Sequence, residues 1–292
     1  MSTETYTPPV SELLSYGDDE VVRKAEWPDY LALGFGSEHI PELIRMATDK
    51  TLLSDEASDL EFFAPVHAMR VLGLLKAEAA IEPLLELYDD EKALDDDWIM
   101  EGLPEIYSRI GPASIPALKG YIADSSHTIF ARGYASNSLV EVGKSHPEVR
   151  SEAIEAITEQ VSTFAESDPE LNALFIADLG HLKALETLPL IEQAFKADRV
   201  DTSFINWDDV QVAMGLKEYE EPEFNLNDLF DPLAHRGAPI DPRSIEIIPP
   251  GHPLSSVSRF AVASSPGGTA SKKVKNKRKM AKMARKKNKR RK

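Results

Sequence analysis

LGLLKAEAAIEPLLELY, Leu72 to Tyr88, and LGHLKALETLPLIEQAF, Leu179 to Phe195, are two copies of one pattern. Without gaps, Leu72, Gly73, Leu75, Lys76 and Ala77 fall on Leu179, Gly180, Leu182, Lys183 and Ala184, and Ile81, Leu84 and Tyr88 fall on Leu188, Ile191 and Phe195. The copies lie 107 positions apart, about three units of a helix-pair repeat. Within the first copy Ile81, Leu84, Leu85 and Tyr88 stand at i, i+3, i+4 and i+7, one face of a helix. Ile99, Gly102, Leu103, Ile106 and Ile110 make a similar face, as do Val149, Ala153, Ala156 and Ile157. No useful length of chain alternates with period two, so strands are not expected.

Between the copies, Ile110-Gly111 leads into Ile115-Pro116-Ala117-Leu118, and Val142-Gly143 leads into the helix at Val149. An earlier unit runs through Gly34 and Gly36 to Ile40-Pro41-Glu42-Leu43-Ile44. Each glycine sits near the end of a first helix, where a left-handed turn residue or close packing is wanted. Each following stretch opens a second helix, where proline loses no hydrogen bond. Ser167-Asp168-Pro169-Glu170 carries a cap, a first-turn proline and an acid, and Ser145-His146-Pro147-Glu148 offers a similar start. One pair cannot bury its apolar stripe alone, so the pairs must stack. The expected fold is all-α, an α-solenoid of about five helix pairs from Trp27 to Phe195. A helical cap is expected around Val10 to Tyr16, and Asn206 to Val212 as a last helix sealing the final repeat.

The LG-x-L-x-A pattern followed by Ile or Leu and then Leu resembles the HEAT-like repeats named after phycobilisome lyases, within the armadillo-type class. The stretches DYLALGF, residues 29–35, and HIPELIRMATD, residues 39–49, are similar to a widespread family of bacterial HEAT-repeat proteins with basic C-termini. That resemblance implies a fold and no known activity.

The chain has 292 residues and no cysteine, which removes disulfides, thiolate metal sites and cysteine nucleophiles. No stretch reaches the roughly 18 to 20 apolar residues of a membrane span, so no integral membrane segment is expected. The polar start, Met1 to Pro9, is no secretory signal, and the expected location is cytoplasmic. Net charge is −16, but Lys272 to Lys292 holds 14 Lys and Arg and no acid, which leaves 19 bases against 49 acids elsewhere, a net of −30. The domain reading is residues 1–26 as an N-terminal cap segment, 27–215 as the solenoid, 216–270 as a disordered linker rich in proline, acid and serine, and 271–292 as a basic tail. Short apolar islands such as Phe224 to Phe230 are candidates to dock on the solenoid.

Catalytic patterns are weak. Gly143-Lys144-Ser145 is the back half of a phosphate loop, but Ser138 stands where its first glycine belongs, so a helix end is the better reading. The histidines, His39, His67, His127, His146, His181, His235 and His252, show no ligand spacing. Asp89, Asp90, Glu91, Asp95, Asp96 and Asp97 lack the glycine of a calcium loop and read as a solvated loop with a helix cap. In a functional version this loop, with Asp18, Asp19 and Glu20, meets a basic partner. Trp27, Trp98 and Trp207 fall in apolar patterns, which favours packing for at least two of them.

The tail is the one sharp feature. Lys272, Lys273, Lys275, Lys277, Arg278, Lys279, Lys282, Arg285, Lys286, Lys287, Lys289, Arg290, Arg291 and Lys292 are the candidate nucleic-acid-binding residues. Against a polyanion they release counterions, giving strong binding that salt weakens. With no aromatic among them, base readout is not expected. RNA, ribosomal RNA included, is the preferred partner; DNA, an anionic membrane or the acidic body would satisfy the same charges. The expected function is a non-catalytic scaffold, without cofactor or metal, that binds an unidentified protein through the groove of its second helices. Those helices are Ile40 to Ala47, Ile81 to Tyr88, Ile115 to Ile122, Arg150 to Phe164 and Leu188 to Phe195. Two alternatives stand beside it: a bilin-lyase-like or chaperone-like protein, implied by the repeat resemblance, and a structural interaction protein whose tail only solubilises.

Overall fold

Five joints in the chain share one geometry. The amide of His39 donates to the Gly36 carbonyl, Ala80 to Ala77, Ser114 to Gly111, Val149 to His146 and Thr187 to Ala184, at 2.9–3.1 Å. Each bond closes one turn of 3-10 helix, Ser37–His39, Glu78–Ala80, Pro112–Ser114, Pro147–Val149 and Leu185–Thr187. In all five an α-helix starts on the residue after that turn, at Ile40, Ile81, Ile115, Arg150 and Leu188. The step from joint to helix read in the two copies is thus present five times.

The computed structural model describes residues 6–17, 27–54, 57–58 and 60–218. Its α-helices are α1 (Ile40–Ala47), α2 (Ala64–Leu74), α3 (Ile81–Leu85), α4 (Glu91–Leu94), α5 (Asp97–Ile110), α6 (Ile115–Ala123), α7 (Ile129–Ser145), α8 (Arg150–Ser162), α9 (Pro169–His181), α10 (Leu188–Lys196) and α11 (Trp207–Ala213). The fold is all-α, and no strand occurs among the described residues. First helices pack in sequence, α2 on α5, α5 on α7, α7 on α9 and α9 on α11, and second helices likewise, α1 on α3, α3 on α6, α6 on α8 and α8 on α10. These residues form one compact unit, Met1–Glu218. The expected linker from residue 219 onward, the tail, Phe224 to Phe230, Asp18 to Glu20, His235 and His252 lie outside the described residues.

Between the rows lies a continuous apolar core. Its largest fully buried side chains include Tyr30, Tyr88, Tyr107 and Phe175. The helix faces expected from periodicity are the buried ones: Ile81, Leu84, Leu85 and Tyr88 on one, Ile99, Leu103, Ile106 and Ile110 on another. Tyr88 exchanges a hydrogen bond of 2.7 Å with Ser138 Oγ, and Tyr107 Oη donates to the Ile81 carbonyl at 3.1 Å. Trp27, Trp98 and Trp207 all pack against this core. Arginines close the helix ends. Arg132 Nε donates to the Ile122 carbonyl at 2.7 Å, Arg150 to those of Leu182 and Lys183, and Arg199 Nε to that of Phe164 at 3.3 Å. A helix C-terminus leaves such carbonyls without intrahelical partners.

The repeat glycines divide by role. At Gly143 and Gly180 the demand is space: a Cβ on Gly143 would stand 3.2 Å from Ala153, and on Gly180 2.9 Å from Ala213. At Gly111 the demand is conformation, with φ at 101°. The left-handed residue closing the two quoted copies is instead a lysine, Lys76 (φ 49°) and Lys183 (φ 51°). In both, the lysine amide reaches back three residues and the next alanine's amide five, Ala77 to Leu72 and Ala184 to Leu179 at 3.0 Å. This is the Schellman arrangement, which favours glycine at the left-handed position. Lys183→Gly should therefore raise stability by up to about 1 kcal/mol in urea unfolding, the relieved Cβ clash outweighing the entropy of the freer chain. A loss of stability would contradict that account.

The helical segment expected around Val10 to Tyr16 is a 3-10 helix, Val10–Ser15. Two local details depart from expectation. His146 gives no side-chain cap; its Nε2 instead lies 2.8 Å from the Ser108 carbonyl. The acidic loop holds a helix of its own, α4, and Asp90 and Asp96 cap α4 and α5 by accepting from Lys92, Ala93 and Trp98 amides. Asp168 caps α9 as expected. Asn206 and Asp209 form a reciprocal capping box on α11, the last helix among the described residues, which packs on α9.

Candidate interaction face

The second helices turn their polar sides outward, and those sides are mostly acidic. Glu82, Glu86, Glu152, Glu155, Glu159, Glu186 and Glu192 are exposed along α3, α8, α10 and their 3-10 turns. Lys119 and Lys196 face the same way, but each is paired, with Glu159 at 2.8 Å and Glu192 at 2.7 Å. The hydrogen bond to Glu159 raises the Lys119 pKa.

Two clefts open here. One, of about 490 Å³, lies between α8 and α10; Ile154, Thr158 and Leu190 line its apolar part, and Glu155, Glu159 and Glu186 line its polar part. The other, of about 410 Å³, is lined by Thr48, Lys50, Leu53, Glu86, Leu87 and residues 89–92. The first helix of the row, α1, is covered by the chain's own N-terminal segment. Thr7 donates its amide (2.8 Å) and hydroxyl (2.7 Å) to the two oxygens of Glu42, and Tyr6 Oη donates to Asp49 at 2.7 Å. The Arg45 guanidinium lies 4.2 Å from the Tyr6 ring centre. Burial would raise the Glu42 pKa, but the Thr7 hydrogen bonds and the Arg45 charge outweigh it and hold the carboxyl below its usual range.

Near the second cleft, His127 Nδ1 stands 2.9 Å from Asp89 Oδ2, and its ring stacks on Tyr121 with centres 3.8 Å apart. Burial, then the adjacent Asp89 carboxylate, pushes the Tyr121 phenol far above its ordinary value. The side-chain hydrogen-bonding and ionic partners of His127 among the described residues are the carboxylates of Asp89 and Asp124. No group of three or more His, Asp or Glu among the described residues stands as a metal set. Gly143-Lys144-Ser145 is the C-terminal turn of α7, the helix end expected of it.

Sequence reading missed both the Tyr6–Thr7 strap and the Asp89–His127 pair. The strap has no local pattern, and its partners lie 35 and 43 positions away. The pair had a faint trace, since both residues follow second helices one repeat apart. The fourteen tail cations lie outside the described residues.

A profile of the family described as "Protein of unknown function (DUF1186)" matches residues 35–230. The chain belongs to this family. In DUF1186 terms the match takes in all five joints and every second helix, and it leaves out the Tyr6–Thr7 strap and the basic tail. No curated protein and no solved structure matches the chain. No helix among the described residues is long and apolar enough to cross a membrane.

Proposed function

We propose that this DUF1186 protein is a non-catalytic, cytoplasmic scaffold of HEAT-like repeats, which binds a protein partner on the face of its second helices and tethers it to RNA through Lys272 to Lys292. The observation that carries the reading is the fivefold joint. It sets five second helices in one row, so their outward positions make one continuous, mostly acidic surface instead of a single pocket. Such a surface suits recognition of a partner segment better than chemistry on a small molecule. The charge split supports the tether: a body of net −30 repels nucleic acid, and fourteen clustered cations attract it.

The test is affinity purification of the full-length chain and of a version ending at Ser271, each with and without nuclease, identifying both protein and RNA. RNA should disappear on truncation or nuclease treatment, while the protein partner survives both. RNA retained by the truncated chain would overturn the tether, and partners lost whenever RNA is lost would overturn the groove.

A further inference from the structure

The N-terminal segment, residues 6–17, is fastened at both ends by contacts that require a particular protonation state. At one end His67 Nε2 donates to the Gly17 carbonyl at 3.2 Å, Nδ1 accepts from the Tyr30 hydroxyl at 2.7 Å, and the Tyr16 ring stands edge-on with centres 5.4 Å apart. A protonated imidazole has no acceptor left for Tyr30, and its charge would lie fully buried beside Arg70. At the other end Glu42 accepts from the Thr7 amide on one oxygen and from the Thr7 hydroxyl on the other. A protonated carboxyl turns one of those acceptors into a donor. Between the fastenings Val10 and Leu13 are the fully buried side chains, and the 3-10 helix that carries them has no side-chain cap. The surrounding titratable and charged groups are few. Tyr16, Tyr30 and Arg70 face His67, and Arg45 pairs with Glu42 at 3.1 Å. The N-terminal helix also packs on the turn Glu61–Phe63, whose Glu61 accepts from the Ser58 amide at 3.0 Å. On α5, Arg109 and Glu105 pair with each other at 2.8 Å. The segment itself carries one charge, Glu12, which is exposed.

We propose that residues 6–17 are an acid-released lid on α1, which opens as one piece while the rest of the repeat row stays folded. Opening uncovers Glu42 and Arg45 on α1, Asp49 just past its end, and the apolar surface under Val10 and Leu13. The two fastenings act in different ranges. The His67 ring titrates near 6.5 once released and about 4 in place, so the closed form loses ground as pH falls below about 6.5. Glu42 is held below its usual range, so its contact is complete above that range and is lost only as pH falls through the lowered value. Between pH 7.5 and 5.0 the proton acts on the lid through His67, and this change should multiply opening by about thirtyfold. Glu42 adds its effect in stronger acid. Opening does not depend on the scaffold reading. Its consequence, one more second helix offered to a partner, rests on that reading.

The test is amide hydrogen exchange of the full-length chain at pH 7.5 and 5.0, followed by mass spectrometry, with each rate divided by that of the unfolded chain at the same pH. The amides of Ser11, Glu12 and Tyr16 donate within the segment, to the carbonyls of Thr7, Pro9 and Leu13, and report on the lid. Their protection should fall by about thirtyfold from pH 7.5 to 5.0, while that of α7 changes by less than about threefold. In His67→Gln, whose side chain is neutral at both pH values, the fall at the lid should shrink to less than about threefold. Glu42→Gln removes the charge from the other fastening and should lower protection about tenfold at pH 7.5, at Tyr16 as much as at Ser11 and Glu12, because the lid opens as one piece. Circular dichroism checks that both variants fold; if His67→Gln does not, wild type and Glu42→Gln still decide. A parallel loss of protection in α7 would mean general loosening and overturn the lid. So would an undiminished acid response in a folded His67→Gln, or a Glu42→Gln chain that frees Ser11 and Glu12 but leaves Tyr16 protected. Loss of every protein partner in the affinity purification would end the scaffold reading and leave the exchange results standing.

Discussion

Tyr88→Ala should lower the free energy of unfolding by about 3–5 kcal/mol, the cost of emptying a large aromatic site in a close-packed core. Tyr88 is fully buried, and its ring lies near those of Tyr107 and Tyr121, with centres 6.4 and 5.8 Å away. It ends the 3-10 turn that extends α3, yet its hydroxyl reaches Ser138 on α7 in the other row. Removing it therefore loosens both rows at once. Burial pushes the phenol well above its ordinary pKa, so it stays protonated and can donate to Ser138. Tyr88→Phe keeps the ring and strands the Ser138 hydroxyl, at a cost of about 1–3 kcal/mol. Adding Ser138→Ala to Tyr88→Phe should recover part of that loss, because removing both partners leaves no unsatisfied group. Urea unfolding followed by far-ultraviolet circular dichroism measures wild type, Tyr88→Ala, Tyr88→Phe, Ser138→Ala and the double variant. Additive single effects would show that the hydrogen bond contributes nothing of its own.

Acid should selectively weaken the N-terminal end. His67 is fully buried on α2 between two segments that precede it, with Nδ1 2.7 Å from Tyr30 Oη and Nε2 3.2 Å from the Gly17 carbonyl. A carbonyl only accepts, so Nε2 carries the proton and Nδ1 accepts from the Tyr30 hydroxyl. The ring is neutral in this arrangement. Burial first, with the nearby Arg70 charge adding to it, lowers its pKa to about 4 despite the Gly17 hydrogen bond. In the unfolded chain the same imidazole titrates near 6.5. Above about pH 6.5 neither state binds the proton, and the fold keeps its full stability with respect to this group. Between about 6.5 and 4 the unfolded chain binds a proton that the native state refuses, so stability falls with pH by about 3 kcal/mol in total. Carboxylates titrate in the lower part of that window, so the measurement is a difference. Urea midpoints of wild type and His67→Gln, taken from pH 7.5 to 4.5, should converge as pH falls. Parallel curves would mean that His67 is not protonated on unfolding.

Much of the architecture was legible because repeats encode it locally. Leu72 to Tyr88 and Leu179 to Phe195 each contain a first-helix end, a left-handed lysine, a 3-10 turn and a second helix, so their alignment already holds the unit. Asp168 and Asn206 were legible for the same reason, since a cap bonds within three residues of itself. Where the reading went astray, distance along the chain was the cause. Ser145-His146-Pro147-Glu148 looks like a capped helix start, yet His146 reaches Ser108, which the stacking of neighbouring pairs brings close. Residues 89–97 looked like a solvated loop because four-residue α4 is too short to leave a periodic trace.

By itself the sequence determined the all-α class, the repeat unit, the register of the second helices and the separation of charge between body and tail. All of these follow from spacing and composition along the chain. Only the tertiary structure decided that Tyr6 and Thr7 cover α1, that Asp89 meets His127, that His67 sits buried between Tyr30 and Gly17, and that a cleft opens beside Glu155 and Glu159. The physical reason is that each of these depends on how far one pair is rotated and shifted against the next. That offset is set by close contacts such as Gly180 against Ala213 and Gly143 against Ala153, which join residues from different helices and leave no periodic mark in the chain.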